Sequence, residues 1–196
     1  MNVLVIPEDF RKDQYILKPI LEAMFGAIGQ GNAKIRVCDD PLLGGVREAL
    51  KWERIEQIIK RYRWKIDVFL LCVDRDGDEN RKHALNRLEQ LAAEILPLAK
   101  YFVAENAWQE IEVWVLAGHL DLPTEWNWAE IRAELDPKEL YFLPFATQRD
   151  VLQGPGQGRK TLAQEAARRY PRIKQLCQED IGNLETRIRI WLDNSP

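Results

Sequence analysis

The sequence predicts an α/β fold: a mostly parallel, Rossmann-like sheet with helices on both faces, followed by a helical C-terminal extension. Three observations predict it. Short β-branched runs alternate with helical periodicity in the order strand, helix, strand, helix, strand, helix, strand. The third run, Val68-Phe-Leu-Leu-Cys-Val73, is apolar throughout, as a strand buried on both faces is. Each predicted strand also runs into an acid: Glu8 and Asp9, Asp39 and Asp40, Asp74, and Glu105. In a parallel sheet all of these acids share one edge, the edge where open α/β sheets bind ligands.

In order along the chain, Val3-Leu-Val-Ile6 is the first strand, broken at Pro7. Ile16, Leu17, Ile20, Leu21, Met24 and Phe25 recur at helical spacing and predict a helix from about Asp13 to Phe25. Pro19 lies inside that pattern, so the helix either starts near Leu17 or is kinked there. Lys34 to Cys38 alternates polar and apolar as a half-exposed strand does, and Asp39, Asp40 and Pro41 stop it. A helix from Val46 to about Tyr62 follows Gly44 and Gly45. Its lysines and arginines read first as a solvated surface. After the central strand comes a helix from about Glu79 to Leu96, and then a fourth strand, Tyr101 to Ala104. Asn106 is a candidate N-cap and Gly118 a candidate terminator for a helix whose apolar stripe is Ala107, Ile111, Trp114, Val115 and Leu116.

Residues 1–118 therefore read as the core and 119–196 as a helical extension packed on it. The extension is a Trp-containing stretch from Asp121 to Leu143 with a short helix, a long loop from Phe145 to Lys160, and helices over about Thr161 to Tyr170 and Gln178 to Leu192.

Composition narrows the class of protein. The net charge of −3 over 196 residues does not announce a nucleic-acid binder, so any such affinity rests on local lysines and arginines. Cys38, Cys72 and Cys177 are scattered without metal-ligand spacing and read as reduced core residues. The start of the chain lacks the pattern of a signal peptide, and no apolar segment is long enough to span a bilayer; the expectation is a cytoplasmic protein with no membrane partner.

Chemistry is concentrated in Asp74-Arg-Asp76-Gly-Asp78, at the C-terminal end of the central strand. Three carboxylates this close need a divalent cation, basic partners or solvent to offset their repulsion. The plain alternative is an acidic turn, with Asp78 capping the next helix. Glu112 lies beside an apolar stripe and is expected to be partly buried, where it needs a metal, hydrogen-bond donors or a Lys/Arg partner. Gly154-Pro-Gly156-Gln-Gly158-Arg-Lys160 is not a phosphate-binding P-loop: three residues separate the outer glycines, and Arg159 stands before the lysine. The dinucleotide fingerprint is absent after the first strand. Asp74-x-Asp76 also suits an aspartate-dependent phosphatase, but Glu179-Asp180, the only late acidic pair, precedes a helix rather than following a strand. A phosphoreceiver pocket of Glu8, Asp9 and Asp74 leaves Asp76, Asp78 and Glu112 without a role.

A glutamate after the first strand, a D-x-D after a later buried strand and a further glutamate make a Toprim-type layout. Pro7-Glu8-Asp9, Val73-Asp74-Arg-Asp76-Gly-Asp78, Ile111-Glu112-Val-Trp114-Val-Leu-Ala and a late Lys160 together resemble the DUF4276 family of small Toprim-like proteins. The chain departs from that family in having Asp9 where Glu-Gly is usual. The resemblance implies a metal-dependent nuclease. Glu8, Asp74 and Asp76 would bind Mg²⁺ or Mn²⁺, Asp78 and Glu112 would ligate directly or through water, and Lys160 would stabilise the transition state. Nucleic acid, DNA before RNA, is the expected partner, with an ATPase as a further one and a homodimer left open. The alternative from another class is a non-catalytic subunit, which an exposed apolar face at Ile188, Trp191 and Leu192 would favour.

Overall fold

The computed structural model describes residues 1–194. It is an α/β fold in which, among the described residues, the sheet has four strands in the order β2-β1-β3-β4, all parallel. The strands are β1 (Asn2–Pro7), β2 (Lys34–Val37), β3 (Val68–Asp74) and β4 (Tyr101–Ala107). Pairing registers Val3 with Val68 and Asp74 with Ala107, so the acids after β1 and at the end of β3 come to the same edge.

Successive side chains of a strand point to opposite faces, and the apolar runs exploit this. Val3 and Val5 of β1, with Val68, Leu70 and Cys72 of β3, face one layer; Leu4 and Ile6, with Phe69, Leu71 and Val73, face the other. The first layer holds α1 (Phe10–Ala27) and most of the C-terminal half of the chain. The second holds α2 (Val46–Ala49), α3 (Trp52–Tyr62) and α4 (Arg81–Ile95). The chain leaves β1 toward one face and β3 toward the other. The boundary between β1 and β3 is thus the switch point of the sheet, where a crevice forms at the strand ends.

Helix α1 begins earlier than its apolar spacing indicates because Asp9 caps it, accepting the Arg11 N–H at 2.9 Å. It continues through Pro19. The predicted helix from Val46 to Tyr62 is instead two. Lys51 is extended, its carbonyl starts α3, and Glu48 pairs with Lys51 and Arg54 across the break. Asp78 does not cap α4. It accepts the Asn80 N–H at 2.9 Å in the preceding turn, and Asn80 holds the cap position. Asn106 is not an N-cap either, because β4 runs on to Ala107 and Asn106 pairs with Val73 in the ladder. The helix with Glu112, α5 (Glu112–Ala117), starts after the intervening loop.

The rest of the chain forms α6 (Trp128–Ala133), a π-helical turn at Lys138–Phe142, α7 (Leu143–Gln148), α8 (Arg159–Ala167), α9 (Tyr170–Leu176), a second π turn at Gln178–Gly182, and α10 (Asn183–Asn194). These elements share one apolar cluster with α1, α5 and the sheet. Ile188 is fully buried in it, and Trp191, which stacks on Tyr101, and Leu192 are half-buried, so the fully exposed apolar face that would favour a non-catalytic subunit is not found at these residues; Ile190 is the exposed large apolar residue of this helix. No described helix is long and apolar enough to cross a membrane.

One edge of the sheet is sealed by side chains. Glu89 of α4 accepts the outward Ala104 N–H at 2.7 Å, and Arg187 of α10 donates to the Ala104 carbonyl at 3.1 Å while pairing with Glu89. Together the two imitate a neighbouring strand and deny that edge to another chain. Replacing both with alanine is expected to cost about 1–3 kcal/mol through the unpaired backbone groups and to promote self-association. Chemical denaturation and light scattering check this; a monomer of unchanged stability would show that the edge needs no seal.

Candidate functional site

The end of β3 places Asp74 at the switch point, beside the end of β1. The Asp74 N–H donates to Glu8 Oε2 at 3.2 Å, and Asp74 Oδ1 accepts the Ile111 N–H at 2.9 Å. Glu8 and Asp74, 66 residues apart in the chain, are thereby joined. The turn after Asp74 reverses through two left-handed residues, Asp76 (φ 50°) and Gly77 (φ 69°). Glycine adopts this conformation freely and aspartate tolerates it, which explains the D-x-D-G order. Gln109 clamps the turn. Its carbonyl accepts the Arg75 N–H at 2.7 Å and its side-chain oxygen accepts the Gly77 N–H at 2.8 Å.

The carboxylates then divide into two groups. Asp76 and Asp78 point toward solvent, 48% and 43% exposed, each 3.8 Å from the buried Arg81. Glu8, Asp13, Asp74, Glu110 and Glu112 lie inward, and one oxygen each of Asp74, Glu110 and Glu112 falls within 4.8 Å of the others. Burial is the largest influence on each raised acid. It pushes Glu8 from an ordinary 4.5 up to about 7, with Asp76 adding repulsion and the Asp74 N–H opposing it. It pushes Asp13 from 3.8 up to about 8, helped by Glu8 and Glu112. Asp74 is driven well above the usual carboxylate range by burial and then by Glu112, Glu8 and Asp13. Glu110 is raised by burial and by Glu112, against the pull of Lys138.

Two of the five already hold cations. Glu112 is 4% exposed, as its position beside an apolar stripe indicates, and it takes the Arg option: Arg159 donates to its Oε1 through Nε at 2.9 Å and through Nη2. Glu110 accepts from the Lys138 N–H at 2.8 Å and from its ammonium at 3.1 Å. Among the described residues, the carboxylates of these five left without a basic side chain bonded to them are Glu8, Asp13 and Asp74. The carboxylate oxygens that converge within 4.8 Å among the described residues are those of Asp74, Glu110 and Glu112, with Glu8 reaching Asp74 through its N–H; oxygen donors of this kind suit a hard cation such as Mg²⁺ or Mn²⁺. Such an ion would discharge the repulsion that burial creates.

The expected site residues are thus placed unevenly. Asp74 meets Glu8 through its backbone N–H and Glu112 through its carboxylate. Asp76 is at the rim, close enough to act on Glu8, and Asp78 is beyond it on Arg81. The Lys160 side chain is exposed and makes no hydrogen bond or ion pair among the described residues; its neighbour Arg159 is the residue that enters the cluster. Asp13 and Glu110 were not expected. Asp13 lies on the first turn of α1 and bonds the Asp9 N–H at 2.9 Å. Its polarity against the apolar Ile16–Leu17 stripe was the available signal. Glu110 sits in a loop without periodicity and offered none. Asp180 belongs elsewhere: it accepts from the Trp108 N–H and Trp114 Nε1 at 2.8 Å each and pairs with Arg132.

Raised carboxyl pKa values tie stability to pH. Between about pH 4, where Glu8 and Asp13 ionise in the unfolded chain, and about pH 7–8, where they ionise in the folded one, the folded state binds more protons. Stability must fall as pH rises through that window. In chelator-treated protein the melting temperature is expected to drop by about 5 °C or more from pH 5 to 8, and by less in Asp13→Asn. Scanning calorimetry checks this, and a melting temperature that rises across the window contradicts it.

Compared with protein-family models, with curated proteins and with solved structures, the chain matches none of them.

Proposed function

We propose that this protein is a metal-dependent phosphodiester hydrolase of the nuclease type, in line with its resemblance to the Toprim-like DUF4276 proteins. One observation carries the reading. Glu8 and Asp74, from the ends of the two strands that flank the switch point, are joined by the Asp74 N–H donating to the Glu8 carboxylate and are pushed up in pKa by burial, and among the described residues no basic side chain is bonded to either. Structural carboxylates normally have a partner; these are arranged for a cation or a proton.

A bound Mg²⁺ or Mn²⁺ supplies polarisation of a phosphoryl oxygen and activation of water. Glu8, Asp74 and, from the rim, Asp76 would hold it, with Asp13 as a further carboxylate. Asp74 is oriented for this by the Ile111 N–H. Where Glu8 does not ligate the ion, it is placed to act instead as the general base toward water, its carboxylate held at the end of β3 by the Asp74 N–H. Asp78 faces Arg81 and would act at most through water. Lys160 is free to meet a substrate phosphate from the solvent side. DNA is the substrate proposed before RNA, with an ATPase as candidate partner.

A second reading has its own support. Glu110 and Glu112 are already paired with Lys138 and Arg159, and Asp76 and Asp78 lie beside Arg81. A site so neutralised also suits a non-catalytic Toprim-like subunit.

Calorimetric titration of Mn²⁺ and Mg²⁺, with plasmid nicking on the same samples, separates the two. The nuclease reading expects Asp74→Ala/Asp76→Ala to weaken metal binding at least about tenfold and to lower nicking at least about a hundredfold, and Glu8→Gln to lower nicking comparably. Metal binding without nicking in the wild type points to the subunit. Nicking that survives in the double variant removes the site from consideration.

A further inference from the structure

The glycine-containing loop of residues 154–158 has no part in the reading above, and its geometry gives it one. Gly156 and Gly158 have φ of 65° and 85°, in the left-handed region where glycine alone is at ease. A Cβ on Gly156 would stand 2.5 Å from the Tyr15 ring of α1, so the loop can lie this close only with glycine there. The Gly156 carbonyl accepts Arg159 Nη1 at 2.9 Å, and Gln157 Oε1 accepts the same nitrogen at 3.3 Å. A phosphate loop presents N–H groups to an anion; this one presents oxygens to a cation.

The cation is 1% exposed and lies over the Phe142 ring. Its other nitrogens, Nε and Nη2, both end on Glu112 Oε1. That leaves Glu112 Oε2 without a bond to Arg159. Every nitrogen of the guanidinium is engaged, so Arg159 cannot itself grip a substrate phosphate in this arrangement. What it does is fix one carboxylate of the cluster by one oxygen.

We propose that Arg159, cradled by the 154–158 loop, is a positioning residue for the metal site: it orients Glu112, one oxygen of which lies within 4.8 Å of oxygens of Asp74 and Glu110, toward the ion that Asp74 binds. The inference rests on the metal-site reading above. It also makes the C-terminal half of the chain a component of the site, since α8 and its loop deliver the arginine. Outer partners that hydrogen-bond a metal-binding carboxylate commonly contribute ten- to a hundredfold in metal affinity.

The test is Mn²⁺ affinity, from the electron paramagnetic resonance of free Mn²⁺, for wild type, Arg159→Met, Glu112→Gln and the combined variant, each shown to be folded by near-ultraviolet circular dichroism. Arg159→Met is expected to bind about tenfold more weakly. In the Glu112→Gln background it should add less than about twofold, because its route through Glu112 is gone. A purely structural arginine would lower the melting temperature and leave the affinity of the folded protein unchanged, which overturns the proposal. So does an equal loss in both backgrounds. If Arg159→Met does not fold, Gln157→Ala removes one support of the guanidinium and is expected to weaken binding about twofold; no loss there overturns the proposal too. Wild type that binds no Mn²⁺ is a separate result: it removes the metal-site reading and this inference with it, whereas wild-type binding with unaffected variants removes the inference alone.

Discussion

Five carboxylates gathered at the switch point of a buried sheet are the constraint on which the site depends. Charges in a medium of low dielectric repel strongly, and each loses hydration on the way in. The molecule meets this in three ways. It brings two cations to two of the acids, Arg159 to Glu112 and Lys138 to Glu110. It aims backbone N–H groups at others, Ile111 at Asp74 and Asp74 at Glu8. It leaves Glu8, Asp13 and Asp74 to carry raised pKa values, and so a raised affinity for a proton.

The same constraint accounts for the way the C-terminal half is attached. Lys138 and Arg159 both come from beyond residue 118 and both end on acids of the core. A third tie runs from Asp180 to the Trp108 N–H, to Trp114 and to Arg132, which holds the end of β4, the middle of α5 and α6 together. Trp114, Phe142, Ile173 and Ile188 fill one cluster with the α1 side of the sheet. Residues 119–194 pack on the α1 side of the sheet and also supply two cations of the site.

Where the sequence misled, a single cause recurs. Local periodicity joined Val46 to Tyr62 because it registers apolar spacing and not the extended conformation of one lysine, Lys51. It stopped β4 at Ala104 because Glu105 and Asn106 are polar. Yet Glu105 is tolerated there by Lys82, Arg187 and Asn183, residues far from it in the chain. The late basic residue is the clearest case. Lys160 and Arg159 are adjacent and both carry basic side chains, and only the direction in which α8 leaves Gly158 decides which of them turns inward.

The sequence by itself determined the α/β class, the buried central strand and the presence of acids at one sheet edge, because alternation and apolar runs are local properties that any parallel sheet must satisfy. It also determined that Glu112 is buried and needs a partner. Tertiary structure decided the rest: which acids converge, that Asp13 and Glu110 join them, that Asp76 and Asp78 stay at the rim, and that the partner is Arg159. These depend on packing between residues 28 to 66 positions apart, and the energy of a charge depends on what surrounds it in space rather than on its neighbours in the chain.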